Sequence, residues 1–218
     1  RVSIFFENLF AFINKNDIRF SFNKKLKLFK ASENKYIRFY SDKSRFFWLY
    51  RDGIKSRGDF IFNSYCLNKI KFKKSDVVID CGANAGDLFI ELSKYINQKN
   101  YIAIEPNPID FKCLNLNCPS SRIFNLALGN KNDIQDFFIA TSGGDSSIIR
   151  PKVFSEIKKV DVLKLDSLII NLEIKKIKLL KVEAEGYEPE VLLGAKDSLK
   201  ICDYVAVDGG YERGLKEE

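Results

Sequence analysis

The chain of 218 residues contains no histidine. That absence removes Ser-His-Asp triads, Cys-His dyads, H-E-x-x-H metalloprotease sites and histidine-ligated catalytic zinc. Any general base has to be a carboxylate, a lysine, a tyrosine or a metal-bound alkoxide. Methionine is missing too and the sequence opens on Arg1, so the natural start is expected to lie outside it. No apolar run is long enough to cross a bilayer, and no signal peptide is read. The opening Val2-Ser3-Ile4-Phe5-Phe6 is soon broken by Glu7 and Asn8, which reads as an amphipathic helix. Cysteine is sparse: Cys66, Cys81, Cys113, Cys118 and Cys202 are odd in number, scattered, and without a C-x-x-C pair. They read as reduced thiols of a cytoplasmic protein, neither a disulfide framework nor a zinc site.

Hydrophobic residues make up 45% of the chain, with 19 phenylalanines. That supplies the core of one sizeable α/β domain with a small appendage. Charge is uneven. Residues 1–75 hold 18 Lys/Arg against 6 Asp/Glu, a balance of +12, and the remainder holds 18 against 23, a balance of −5. Two readings stay open for the basic front half. It is a solvated lysine- and asparagine-rich face, or it meets an anionic surface such as nucleic acid, a phospholipid leaflet or a phosphate-bearing substrate.

Residues 1–56 mix short aromatic and basic segments and are expected to form a basic, aromatic-rich extension of a few strands or short helices. Residues 57–218 then form the main domain. A helix is expected over Arg57–Ile70, followed by strand 77–82, helix 86–96, strand 101–105, helix 108–117 and strand 122–128. Further strands over 133–140 and 159–165 flank a Gly143-Gly144 loop. Strand 177–183 precedes a helix near Pro189, and the last strand is Asp203–Asp208. Repeated βα units predict a doubly wound, mostly parallel sheet with an N-terminal α/β extension.

The most informative stretch is Asp80-Cys81-Gly82-Ala83-Asn84-Ala85-Gly86, set between the β-branched run Val77-Val78-Ile79 and a helical pattern. A second strand ends in an acid at Ile104-Glu105-Pro106. Strand, glycine turn, helix, and strand ending in a carboxylate make half of a nucleotide-type site. A dinucleotide fingerprint needs a middle glycine for the pyrophosphate, but here the order is Gly82-x-Asn84-x-Gly86. Such a turn suits S-adenosylmethionine, which carries a carboxylate and an ammonium instead. The amides at the helix start are expected to face that carboxylate, with Asp80 placed toward the ammonium and Glu105 on the ribose hydroxyls.

With these segments placed, the chain resembles the FkbM family of S-adenosylmethionine-dependent methyltransferases. The matching motifs are Val77 through Gly86, Ile104-Glu105-Pro106-Asn107-Pro108, Asn125-Leu126-Ala127-Leu128-Gly129, Leu165-Asp166-Ser167-Leu168 and Leu180-Lys181-Val182-Glu183-Ala184-Glu185-Gly186-Tyr187-Glu188. The likeness covers roughly residues 45–213. It implies a class I, Rossmann-like methyltransferase fold that methylates a hydroxyl of a sugar or related small-molecule or glycan acceptor. A role in polysaccharide biosynthesis follows from it. It also implies cofactor contacts from Asp80, Gly82, Ala83, Asn84, Gly86, Glu105, Pro106 and Asn107, with Asn125 and Ala127 near the adenine edge. Glu183 departs from the aspartate more usual in the family. The chain also stops soon after Tyr211-Glu212-Arg213, before the antiparallel strand pair expected to close the sheet; the domain therefore reads as truncated there, or its edge as atypical.

Glu183 and Glu185 lie two apart at a strand end, so strand periodicity puts them on one face of the ligand crevice, about 6–7 Å apart. Carboxylates so close raise at least one pKa unless a cation sits between them. Lys181, on the same face, is the candidate to neutralise them. Three roles stay open for the pair: activating the acceptor hydroxyl, holding a divalent metal, or capping the helix at Pro189. The loop Thr141–Ser147 is read either as a lid whose Ser146 and Ser147 touch the acceptor or as a plain exposed loop. A nucleic-acid (RNA) methyltransferase is the first alternative, disfavoured because no Asn/Asp-Pro-Pro-aromatic signature and no Pro-Cys pair occurs. A non-catalytic binding protein is the second. Peripheral contact with an anionic membrane is left open.

Overall fold

The computed structural model describes residues 2–140 and 145–209. The chain runs α1 (Val2–Ile13), β1 (Arg19–Asn23), β2 (Leu28–Glu33), β3 (Tyr36–Tyr40), α2 (Lys43–Tyr50), α3 (Ile54–Ser64) and β4 (Val78–Cys81). It continues through α4 (Leu88–Leu92), β5 (Tyr101–Ile104), α5 (Pro108–Asn117), β6 (Arg122–Phe124), β7 (Ala127–Leu128), β8 (Asp133–Ile139) and β9 (Glu156–Leu163). It ends with α6 (Leu165–Asn171), β10 (Ile177–Val182), α7 (Glu188–Leu193) and β11 (Cys202–Val207). No helix of the described residues is long and apolar enough to cross a membrane.

The main sheet has five parallel strands in the order β11-β10-β4-β5-β6. From β4 the chain winds outward through β5 and β6, then returns to add β10 on the other side of β4. The strand order therefore reverses between β4 and β10, the place where open α/β sheets bind ligands. Alternate residues of these strands feed two cores. Ile79, Cys81, Ile102, Leu180 and Val182 meet α6 and α7 on one face. Val78, Tyr101, Ala103 and Leu179 meet α3, α4 and α5 on the other. A strand buried on both faces reads as a continuous apolar run, as Val77-Val78-Ile79 does.

Several boundaries differ from expectation for local reasons. The helix expected over 57–70 starts at Ile54 and stops at Ser64, because Cys66 adopts a left-handed backbone with φ 55°. The helix expected over 86–96 is regular only over α4. Strand 122–128 is two strands in two sheets, β6 in the main one and β7 beside β9. The strands expected over 133–140 and 159–165 are β8 and β9, paired antiparallel in a separate sheet of order β7-β9-β8, with Leu165 already in α6. Gly143 and Gly144, like Tyr211–Arg213, lie outside the described residues.

The extension is a helix, an antiparallel meander β1-β2-β3 and a second helix. Its core of Phe20, Phe46 and Tyr50 also takes in Ala85, Ile90 and Cys113, so packing runs straight across position 56. Asn117 locks the seam, accepting from Phe39 N at 2.8 Å and donating to Phe39 O at 3.0 Å. Arg38, also buried, donates to Gly86 O and Asn117 O at 3.3 Å each.

Candidate active site

The glycine turn leaves β4 at the strand-order reversal. Gly82 has φ 75°, and a Cβ there would sit 1.8 Å from the Glu183 carbonyl oxygen leaving β10. Only glycine allows that approach. Asn84 (φ 48°) and Gly86 (φ 82°) complete the left-handed turn. The amides of Gly82 and Ala83 both donate to Ile104 O at 3.0 Å, and α4 is five residues long. Those two turn amides are satisfied by β5; they precede the helix start whose amides are expected to face a ligand carboxylate.

Glu105 follows β5, buried, and faces the cavity beside the turn. Its Oε2 accepts from Asn84 N and its Oε1 from Asn107 N, both at 2.8 Å. One carboxylate thus ties the glycine turn to the turn that starts α5, with lone pairs left over on each oxygen. Burial and then the Asp110 charge push its pKa up to about 8, against the pull of the two amide bonds. Asp110 is itself raised to about 6, chiefly by burial, and receives Asn84 Nδ2 at 3.3 Å and Ser41 Oγ at 3.2 Å. Of the residues expected at the cofactor, Pro106, Asn107 and Ala127 line the cavity, whereas Asn125 and Gly86 do not. Asn125 is exposed, and its amide donates to Glu105 O at 2.8 Å and Pro106 O at 3.1 Å, which also explains the break between β6 and β7.

Across the cavity Lys181 is buried, 3% exposed. Its ammonium stands 3.1 Å from Asp80 Oδ1 and 2.8 Å from Glu183 Oε2, and donates to Gly82 O at 2.8 Å. Burial alone lowers a lysine's pKa, but here the two carboxylates outweigh it and hold the ammonium above its ordinary range. Asp80 also accepts from the Tyr101 hydroxyl. Its Oδ1, though buried, has no hydrogen bond despite the ion pair.

The pair at the end of β10 departs from the strand argument. The strand stops at Val182, and Glu185 has a left-handed backbone with φ 52°, so two-residue alternation no longer applies. Glu183 and Glu185 nevertheless line the same cavity. Burial raises the Glu183 pKa, but Lys181 and hydrogen bonds from Lys181 and Tyr65 more than offset that and leave it below the ordinary range. The cation that cancels mutual repulsion is therefore present. The N-cap residue of α7, Tyr187, supplies no side-chain cap, and the carboxylate of Glu188 in the first turn reaches back to accept from Ala184 N at 2.6 Å. Among the described residues no group of three or more Cys, Asp or Glu is arranged to hold a metal ion.

Ser146 lines the cavity and Ser147 does not. The Ser147 hydroxyl donates to Glu185 O at 2.8 Å and Ala184 O at 3.2 Å and accepts from Ile149 N at 3.0 Å. It braces the turn that carries Glu185 instead of facing an acceptor. Thr141–Gly144, the rest of that loop, lie outside the described residues.

Sequence reasoning missed Asp87, Asp110, Arg45 and Arg57, all on the cavity wall. Asp87 accepts from Tyr50 at 2.5 Å and from Arg57 Nε at 3.1 Å. The acid directly after Gly86 was a readable signal, whereas nothing in the local pattern around Arg45 points to a site. In all, the wall carries six carboxyl groups (80, 87, 105, 110, 183, 185) against three cations (45, 57, 181). A ligand with positive charge suits such a wall, and Asp80 Oδ1, ion-paired with Lys181 but accepting no hydrogen bond, keeps acceptor capacity for a second ammonium. The residues present fit S-adenosylmethionine.

A parallel sheet that reverses its order at a glycine turn, with an acid ending the adjacent strand, defines a Rossmann-like protein of the nucleoside-cofactor class. A family model described as the methyltransferase FkbM domain matches residues 80–209, more than half of the chain. The chain belongs to the FkbM methyltransferase family and is a methyltransferase, an enzyme class that uses S-adenosylmethionine. No curated protein and no solved structure matches it.

Proposed function

We propose that the enzyme methylates a hydroxyl oxygen of a sugar or related glycan acceptor, in glycan assembly on the cytoplasmic side. One observation supports this best: the glycine turn, Glu105 and the Glu183–Glu185 turn surround a single cavity at the strand-order reversal. Asp80 takes the cofactor's ammonium and Glu105 its ribose hydroxyls. The turn from Gly82 to Gly86, Pro106, Asn107 and Ala127 shape its seat. S-adenosylmethionine supplies, when bound, a methyl group on a sulfonium sulfur.

The chain's own part is alignment and proton transfer. A sugar hydroxyl is a weak nucleophile, and a positioned base contributes about 10²–10⁴-fold. Glu183, held ionised by Lys181, orients the acceptor hydroxyl through a hydrogen bond. Glu185 takes the hydroxyl proton as the oxygen–methyl bond forms and the carbon–sulfur bond breaks. Ser146, next to the serine that braces the Glu185 turn, contacts the acceptor. Were a divalent ion held there, Glu183 and Glu185 would be the residues to hold it, and it would supply a lowered pKa for the hydroxyl.

The test has two parts. Calorimetry with S-adenosylhomocysteine is expected to show binding, weakened by Glu105→Gln. A labelled-methyl screen against free, nucleotide-linked and lipid-linked sugars, with and without magnesium, is expected to yield an O-methylated product. Glu185→Gln should lower kcat about 10²-fold or more while leaving S-adenosylhomocysteine binding intact. Near-normal turnover by the Glu183→Gln/Glu185→Gln double variant would sink the assigned roles. A product methylated on nitrogen or on RNA would sink the acceptor.

A further inference from the structure

The helix α1 presents an apolar face to solvent that no packing within the fold explains. Its inward side is set by Ala11, buried at 2%, and by Asn8, whose side chain exchanges two hydrogen bonds with the Phe20 backbone of β1. Its outward side carries Phe5, Phe6, Leu9, Phe12 and Ile13, with Phe12 71% and Ile13 67% exposed. Phe5, Leu9, Phe12 and Ile13 follow the i, i+4, i+7, i+8 spacing of a single helical stripe, with the Phe6 ring against Phe5. Glu7 is the only charged residue in the helix, and it is paired with Arg51 at 3.5 Å. Scattered exposed apolar residues are ordinary on a protein surface, but a contiguous aromatic stripe marks an interaction face.

What surrounds the stripe indicates its partner. The Arg51 guanidinium lies 5.4 Å from the Phe10 ring centroid, and one helical turn before it on α2 stands Trp48, 70% exposed. Lys15 and Arg19 follow α1 and are exposed, as are Lys24, Lys25 and Lys27 at the tip of the hairpin joining β1 to β2. Residues 1–30 hold seven Lys/Arg against two Asp/Glu. Exposed aromatic rings and exposed lysines on the same short extension match an interface of hydrocarbon under anionic headgroups. A second copy of the chain would bring the same positive cluster against itself and be repelled. Nucleic acid would satisfy the lysines but leave the phenylalanine stripe in water.

We propose that α1 lies in the headgroup layer of an anionic phospholipid bilayer, with its Phe5–Ile13 face inserted and the neighbouring lysines on the lipid phosphates. This surface is separate from the methyl-transfer cavity and holds whatever the acceptor proves to be.

Vesicle co-sedimentation tests it, with the purified chain and large unilamellar vesicles of phosphatidylcholine alone or mixed with phosphatidylglycerol. Binding to the mixed vesicles is expected, and it should fall as sodium chloride is raised and the headgroup charge is screened. Phe5→Ser/Phe12→Ser is expected to weaken that binding about tenfold or more, since two inserted rings are lost. Lys24→Glu/Lys25→Glu/Lys27→Glu should abolish the preference for phosphatidylglycerol. Both variants alter only exposed side chains, and unchanged S-adenosylhomocysteine binding and melting temperature show that the fold is intact. No sedimentation with mixed vesicles, or equal sedimentation of wild type and the phenylalanine variant, overturns the proposal. So does light scattering that shows a dimer dispersed by Phe5→Ser/Phe12→Ser, which would make the stripe a contact between copies.

Discussion

Glu105 is the residue where protonation and structure are most tightly joined. It is buried beside Asp110, and folding raises its carboxyl from the ordinary 4.5 to about 8. A carboxyl raised on folding gives stability that is complete below the unfolded value and is lost as pH climbs through the folded value. The ligand-free protein is therefore expected to melt at progressively lower temperature between about pH 5 and about pH 8. Glu105→Gln, which cannot ionise, should flatten that slope, and thermal melts of both proteins across the range check it. Parallel slopes would show that another group governs the effect. The place of Glu105 was legible in the sequence because an acid between an apolar strand and a proline has few local uses. The fates of Asn125 and Ser147 were not, because each spends its polar atoms on backbone groups brought near only by folding: Pro106 O for the first, Glu185 O for the second. Lys181 stood in plain view two positions before Glu183, yet its second partner, Asp80, lies on a different strand.

Among the elements, α3 shows why boundaries are hard to read. Gly53 precedes it with φ 106° and has no side chain to cap the helix. The cap comes from Glu33 at the end of β2, whose Oε2 accepts from Ile54 N at 2.6 Å and Lys55 N at 3.1 Å. A carboxylate there both satisfies orphan amides and meets the positive end of the helix. Glu33→Ala is expected to cost about 1–2 kcal/mol, measured by urea denaturation, with the helical signal of the folded state unchanged. A variant as stable as the parent would remove Glu33 from the cap. No window of sequence around residue 54 contains this information. By contrast, Pro108 at the first turn of α5, with Asn107 Oδ1 accepting from Ile109 N at 3.0 Å, is local, and that helix was found at its true limits. The strands of the main sheet were readable for the same reason: burial on both faces leaves continuous apolar runs. The mixed sheet of β7, β8 and β9 is legible only as pieces, since its pairing joins distant residues, Ala127 with Val162 in parallel and Asp133 with Val162 antiparallel.

At the scale of the whole molecule, the cavity couples ligand binding to stability. A ligand that binds only the folded chain at about 100 times its Kd adds about 2.7 kcal/mol. For a domain of this size, S-adenosylhomocysteine at that level should raise the melting temperature by about 5–10 °C. Scanning calorimetry over a concentration series checks it, and a midpoint indifferent to ligand would contradict the proposed cofactor seat. The doubly wound layout was legible from the order of apolar runs and glycine turns. How the first fifty-odd residues sit was not, because their contacts reach across the chain. Arg38 is the clearest case, its guanidinium holding the carbonyls of Gly86 and Asn117 from beneath the glycine turn. A chimera carrying some other front segment would remove a charged donor from both oxygens, though Gly86 O would keep its bond from Phe89 N, and would strip the cover from Ala85 and Ile90. The two portions are thus not interchangeable modules, and a change on one side of that seam obliges a matching change on the other.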